Sequence, residues 1–264
     1  MKQNGVDPKP KHLAPEYATT FKDRGIVGAY QRRPLYTPEV FEILVDLIED
    51  EPRVVLDIGC GTGDIARQMV DHVERVDAVD FSHPMIERGK SLPNGNHTNI
   101  NWIHGPAETA RLNPPYGLVV AGDSIGWFDW TTVFRRFKES LTPTGKLAIV
   151  SRDWGIDREL EGGIFSRYST NKDYAQINVV HELEVRGLFN REGERSVGPV
   201  SQAFTVDEYI ESRHSQQSFS RERMGQERAA EFDNELRAVW AAKIGPGKFD
   251  IQISMSVVWG RPSA

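Results

Sequence analysis

A single cysteine, Cys60, stands in 264 residues, so no disulfide can form within the chain, and a reducing compartment suits it. Long apolar runs are missing as well. The longest clean ones, at 118–121 and 147–150, hold four or five residues, far short of the roughly 18 needed to span a bilayer. The opening stretch, MKQNGVDPKPKHLAPEY, has no apolar core of the kind a secretion signal needs. A cytoplasmic protein with no membrane partner is therefore expected. There is no surplus of positive charge either. The net charge of −6 argues against a nucleic-acid partner, because phosphate contacts need clustered Lys and Arg. No His, Cys, Asp or Glu grouping has metal-ligand spacing, so no metal is expected. No G-x-S-x-G or Cys/His arrangement points to nucleophilic catalysis. What is present is ordinary globular composition, 39% apolar and 27% charged, in a chain long enough to bury a sizeable core.

The charge is unevenly spread. Residues 1–33 carry seven basic side chains against three acidic ones, so a basic arm either rests on an acidic body or helps to hold an anionic ligand. Residues 1–36 read as this arm, or lid. Thr37-Pro38-Glu39 is a helix start, with a hydroxyl cap, proline at the first helical position and an acid near the positive dipole end. Val40, Phe41, Leu44, Val45, Leu47 and Ile48 follow at helical spacing. Short apolar runs then alternate with helical segments, and strands are expected at 54–56, 76–79, 100–104, 118–121 and 146–150. That rhythm predicts an α/β, Rossmann-like, doubly wound sheet whose ligand-binding core is 37–154. Residues 155–205 lose the rhythm and are read as a cap or insertion after the fifth strand. Residues 206–264 are read as helices and a last strand, 249–259, completing a sheet of seven.

The informative segment is 54–66, VVLDIGCGTGDIA. Gly59, Gly61 and Gly63 follow a buried strand and precede a helix, where a missing Cβ lets the backbone turn sharply and approach a ligand. Asp80 ends the next strand, 17 residues beyond Gly63, where a carboxylate can accept both ribose hydroxyls of an adenosine. A dinucleotide site uses G-x-G-x-x-G. Here the spacing is G-x-G-x-G, with Asp57 just before the turn. A carboxylate there repels a pyrophosphate but suits a ligand carrying an amino group and a sulfonium, which favours S-adenosylmethionine over NAD.

These segments closely resemble the class I S-adenosylmethionine-dependent methyltransferases, in the small-molecule branch built on a methyltransferase type 11 or type 25 domain. Residues 57–63 are similar to that family's glycine motif, and Asp80-Phe81-Ser82 with Met85 to the motif after its second strand. Residues 105–108 resemble its adenine-binding turn, 123–130 the loop after its fourth strand, and 141–146 the turn before its fifth. The resemblance covers about 30–154 and, more faintly, the C-terminal helix and strand. It implies that Gly59, Gly61 and Gly63, with Cys60 between them, line the methionine and ribose. Asp57 would lie near the methionine amino group and Asp80 would take the ribose hydroxyls. Phe81 and Met85 would pack on the adenine, Ala107 and Glu108 would meet its amino edge, and the loop from Asp123 would close beneath the sulfonium. Relatives often place histidine before the Trp-Phe pair. Here Gly126 stands instead, which leaves that histidine's role unfilled and room for a larger acceptor.

No catalytic base stands out. His104, His181, His214, Asp129 and Asp153 are candidates without a recognisable partner, and among them His181, His214 and Asp129 are retained. Similar methyltransferases fold a segment like 17–36 over the active site, so Tyr30 and Arg33 are expected at the acceptor, with Arg33 near a carboxylate of cofactor or substrate. Trp127 and Tyr168 are its expected aromatic contacts, supported by Phe128, Phe165, Tyr174 and Phe189. The expected activity is metal-independent methyl transfer to a hydroxyl or carboxylate of a small, largely apolar metabolite. N- or C-methylation, or a non-catalytic S-adenosylmethionine-binding homologue, are the alternatives.

Overall fold

The computed structural model describes residues 9–155, 157–245 and 247–263. Lys2 and Asp7 of the arm lie outside the described residues. The rest of the arm is more regular than its composition suggests, with short helices α1 (Pro15–Ala18) and α2 (Arg24–Ala29) joined by 3-10 turns. After it come α3 (Pro38–Asp46), β1 (Val54–Ile58), α4 (Ala66–Met69), β2 (Arg75–Asp80), α5 (His83–Lys90), β3 (Ile100–His104), β4 (Tyr116–Gly122), α6 (Trp130–Ser140) and β5 (Leu141–Trp154). The chain continues through α7 (Arg158–Tyr168), α8 (Val179–Val185), β6 (Phe189–Thr205), α9 (Val206–His214), α10 (Arg221–Met224), α11 (Gln226–Ile244) and β7 (Lys248–Pro262). Among the described residues no helix is long and apolar enough to cross a membrane.

The seven strands form one sheet in the order β3-β2-β1-β4-β5-β7-β6. The first five run parallel, and β7 is antiparallel to both β5 and β6. Central strands of a parallel sheet are covered on both faces and so read as unbroken apolar runs; every residue of β1 is buried. Successive side chains go to opposite faces. Val55, Leu118 and Val120 join a core with α3 and α4, while Leu56, Val119 and Ala121 join a second core with α6. A third cluster, including Ile164, Phe219, Phe232 and Leu236, ties α7 to the C-terminal helices.

Two expectations are corrected. The segment read as a cap contains β6, the edge strand of the sheet. Its charged side chains hid it: Glu192, Glu194 and Arg195 are exposed, and two register shifts interrupt its pairing with β7. A polar, irregular edge is what resists pairing with a second sheet, and it erases the apolar signal of a strand. The helix start at Thr37 holds, since α3 opens at Pro38, but the hydroxyl makes no capping bond and donates instead to Met255 Sδ at 3.9 Å.

Candidate functional site

The site lies past the C-terminal ends of β1, β2 and β4, the crevice where open α/β sheets bind ligands. Directly after β1 the chain turns through Gly59 (φ +69°) and Gly61 (φ +56°). A Cβ on Gly59 would sit 2.6 Å from Ser124 Cβ, and one on Gly61 would sit 3.1 Å from the Tyr30 hydroxyl. Both glycines are therefore required by backbone conformation and by close approach. Asp80 closes the loop from the neighbouring strand, accepting from Gly61 N at 2.8 Å and Ser82 N at 2.7 Å. Burial pushes its carboxyl up to about 6, against the pull of those two backbone donors.

Asp57 sits deeper. It accepts from Ala66 N at 3.0 Å, at the start of α4, and burial pushes it up to about 7. With Cys60 it borders a void of about 10 Å³ behind the loop, not the main cavity. The Cys60 thiol is buried and raised well above its ordinary range, burial being the main cause. Gly63 packs toward Trp102 and is also outside the main cavity lining.

Asp123, just past β4, has φ +53°, uncommon for a residue with a Cβ. Its carboxylate explains why the conformation holds. One oxygen accepts from Arg152 N at 3.1 Å; the other accepts from Arg152 Nε at 2.7 Å and from the Tyr36 hydroxyl at 3.1 Å. The Arg152 side chain is 2% exposed and stacks 4.0 Å from the Tyr36 ring centre. Asp123 is thus neutralised from behind.

These groups form one wall of a cavity of about 550 Å³, a size ordinary for a small-molecule site. Gly59, Gly61, Asp80, Phe81, Met85, Ala107, Glu108 and Asp123 all reach it, so eight of the eleven expected cofactor residues share one cavity. The opposite wall is built by the arm, through Pro15, Ala18, Phe21, Tyr30 and Arg33, and by Trp127 and Phe128. Phe21 meets Trp127 edge to face at 5.6 Å, and Ser82 Oγ donates to Phe21 O at 2.7 Å. Lys9 lines the same cavity, donating from Nζ to Phe128 O at 2.9 Å. Burial lowers its ammonium to about 8, although Asp129 and Glu108 pull the other way.

Tyr30, Arg33 and Trp127 reach the cavity as expected, but Tyr168 does not. Its ring packs against Phe232 at 5.7 Å and its hydroxyl donates to Glu235 at 2.8 Å. The other expected cap aromatics are elsewhere too: Phe165 packs against Phe219 in the third core, Phe189 meets Phe134, and Tyr174 is exposed. Their places are taken by the arm, whose share began earlier than residue 17. A helical or strand period could not have shown this, because the arm's contacts are tertiary. No carboxylate among the described residues pairs with Arg33. The space expected beside Gly126 is filled, since a Cβ there would lie 3.2 Å from Leu13 Cδ2.

Among the catalytic candidates, only Asp129 borders the cavity, and its carboxylate caps α6 by accepting from Thr132 N at 2.9 Å. His181 is exposed on α8. His214 is buried between Phe219 O at 2.7 Å and Asp233 Oδ1 at 2.5 Å, where it ties α9 to α11. His104 Nε2 lies 3.2 Å from Phe81 O. Among the described residues, no group of three or more His, Cys, Asp or Glu side chains is arranged to hold a metal ion.

Residues 55–145 match the family described as a methyltransferase domain. A malonyl-[acyl-carrier protein] O-methyltransferase of Halalkalibacterium halodurans is 34% identical over 106 residues, 38% of this chain and 39% of its own length. A methyltransferase of Aspergillus terreus is 26% identical over 142 residues, 50% of this chain and 42% of its own. The chain thus spans about two-fifths of the length of the curated relatives it matches. Among solved structures, a candidate type II methyltransferase from Anaeromyxobacter dehalogenans superimposes with a TM-score of 0.63 at 21% identity, covering 87% of this chain and 97% of that one. At that identity the likeness speaks for the fold, and the match over β1–β5 adds the domain type. Residues 55–145 thus carry a methyltransferase domain, set in a fold shared with a solved methyltransferase structure.

Proposed function

We propose that this chain moves a methyl group from S-adenosylmethionine to a hydroxyl or carboxylate oxygen of a small, largely apolar molecule, without a metal ion. The observation that carries this reading is a single cavity with two unlike walls. One holds the buried Asp80 carboxylate beside Phe81 and Met85; the other holds Pro15, Ala18, Phe21 and Trp127. The first suits an adenosine. Asp80 keeps unused lone pairs beyond its two backbone donors, enough for two ribose hydroxyls. Aromatic faces on the second wall favour a positive sulfonium and exclude water from it.

The cofactor supplies a methyl group already activated for displacement. What remains for the protein is to hold the acceptor oxygen in line with that methyl group, which is worth roughly 7–11 kcal/mol of the barrier. The arm acts as the lid of this site. Among the described residues no acidic side chain in the cavity is left free as a base for a hydroxyl beyond Asp80, which is assigned to the ribose. Asp129 is engaged as a helix cap, Glu108 accepts from Asp129 N at 2.9 Å and Asp123 is held by Arg152, while Lys9 Nζ donates to Phe128 O at 2.9 Å. A carboxylate, ionised at neutral pH, needs none. Curated relatives named O-methyltransferases agree with oxygen as the acceptor.

The test is an acceptor screen by mass spectrometry, with release of S-adenosylhomocysteine as the readout. Methylated carboxylic acids or alcohols support the proposal. Methylated amines or carbon centres would replace it with N- or C-methylation. Cofactor binding without turnover on any acceptor pool would identify a non-catalytic homologue.

A further inference from the structure

A second cavity, of about 530 Å³, lies between α3 and the segment that follows the glycine loop. Its size is ordinary for a small-molecule site, and no residue given a part in methyl transfer lines it. One wall is α3. Helical spacing turns Val40, Ile43 and Leu44 into the core and leaves Phe41, Glu42, Val45 and Asp46 on the cavity side. Leu35 and Tyr36, from the end of the arm, close one end. Leu35 is 67% exposed although its backbone is fixed, its N donating to Gln202 Oε1 at 3.3 Å and its O accepting from Gln202 Nε2 at 3.1 Å. A large apolar side chain is thus held in water at the rim.

The charges around this cavity are unbalanced. On the far wall Arg67 has all three nitrogens engaged: Nη2 pairs with Asp64 at 2.9 Å, Nε donates to Thr62 O at 3.0 Å and Nη1 to Pro93 O at 3.1 Å. Glu42 and Asp46 pair with no cation among the described residues. They stand four apart on one helix face, a spacing at which like charges destabilise the helix. Arg53 serves the same helix end through Val45 O at 3.2 Å and Ile48 O at 3.1 Å, without an ion pair to either acid. Two unpaired carboxylates beside the Phe41 and Tyr36 rings suit an ammonium, which meets opposite charge and a ring face together. An anion would be repelled there, and a neutral ligand would forgo both attractions.

Tyr36 joins this cavity to the first. Its ring meets Phe41 edge to face at 6.4 Å and stacks on Arg152, and its hydroxyl donates to Asp123, which lines the first cavity. The void of about 10 Å³ behind the glycine loop lies where the two approach, bordered by Tyr36 and Asp64 from the second and by Gly59 and Gly122 from the first. We propose that the second cavity binds a small organic cation with an apolar body. Packed on the Tyr36 ring, this occupant holds the Tyr36–Asp123 bond in place and so strengthens cofactor binding in the first cavity.

Phenethylammonium is the probe, with 2-phenylethanol and phenylacetate as its neutral and anionic counterparts, in calorimetry on the full chain saturated with S-adenosylhomocysteine. Saturation blocks the first cavity, whose aromatic wall also suits a cation. The ammonium should bind about five- to tenfold more tightly than the alcohol, as expected of two exposed charge contacts and one ring face, and phenylacetate should bind least. Glu42→Gln combined with Asp46→Asn should erase that preference; both side chains are exposed, so the fold should survive. The ammonium should also tighten S-adenosylhomocysteine by about fivefold, the low end of ordinary coupling between sites. Tyr36→Phe keeps the ring but not the hydroxyl, so it should retain amine binding and lose that shift. Equal binding of the three probes, a preference that survives the double substitution, or loss of amine binding on saturation would overturn the site. Amine binding with no shift in cofactor affinity would overturn its link to the first cavity. If S-adenosylhomocysteine did not bind at all, the methyl-transfer reading would fall, while the double substitution tested on the ligand-free chain would still decide the second site.

Discussion

Replacing Asp80 with Asn separates what this carboxylate does for the fold from what it does for the ligand. Two opposing effects act on stability. The side chain is 6% exposed and its carboxyl is raised from 3.8 to about 6 by burial, which corresponds to roughly 3 kcal/mol against the ionised form. Asn removes that penalty. It also offers one carbonyl oxygen where Asp80 offers two, so either Gly61 N or Ser82 N loses its acceptor, at about 1–3 kcal/mol. Near pH 8 the two nearly cancel, and the cofactor-free variant should melt close to the parent. Because the folded pKa is raised, the contribution of this group is fully present below 3.8 and is lost as pH rises through about 6. At about pH 5 the parent has regained about half of it, roughly 1.4 kcal/mol, while the variant has only the lost acceptor, so the variant should be the less stable there.

Binding responds differently. The ribose hydroxyls lose a charged acceptor, worth about 1.5–3 kcal/mol, so the Kd for S-adenosylhomocysteine should rise about 10- to 150-fold at pH 8. In the parent, affinity should fall as pH drops through about 6 and Asp80 protonates; the variant should lack that dependence. Calorimetry and thermal melts at the two pH values read all of this. Unchanged affinity in the variant, or the same pH dependence in both proteins, would refute the assignment of Asp80 to the ribose.

Other expectations follow from the same geometry. Asp57 is raised from 3.8 to about 7 by burial, so its stabilisation is complete below 3.8 and is lost as pH rises through about 7. Asp57→Asn, which keeps an acceptor for Ala66 N, should therefore gain on the parent between about pH 5 and pH 8, by about 2.5 kcal/mol in chemical denaturation. A flat difference across that range would contradict the burial argument. Trp127→Ala should lower kcat/KM for a found acceptor about tenfold or more, whereas Tyr168→Phe should leave acceptor preference unchanged and lose only about 0.5–1.5 kcal/mol with its Glu235 bond. A specificity change in the Tyr168 variant would reverse the placement of the acceptor pocket. Chelation with EDTA should leave turnover intact; loss restored by a divalent ion would show a metal dependence.

Much of the wall around the glycine loop is legible in the sequence, because its chemistry is local. A buried parallel strand leaves an apolar run, a backbone turn at positive φ demands glycine, and a carboxylate one strand later sits at a distance set by the βαβ unit. Hence 54–66 with Asp80 located the loop, and five strands fell where the runs lay. The limits of that reading were local as well. Asp57 and Cys60 lie in the motif, yet their side chains point behind the loop, since residues adjacent along a tight turn need not share a face.

The tertiary structure alone decided the rest. β6 is an edge strand dressed in charge, so its place depends on pairing with β7 rather than on any pattern of its own. The cavity wall facing the glycine loop comes from the arm because Lys9 reaches Phe128, Phe21 meets Trp127 and Leu13 fills the space over Gly126. Each contact joins residues about a hundred positions apart, and none leaves a period in the sequence. Tyr168 shows the converse: an aromatic in a segment read as a cap is indistinguishable, along the chain, from one that packs on Phe232 in a core between helices. Periodicity reports which face of an element is buried. Only the packing of elements decides whether that face meets a ligand or another helix.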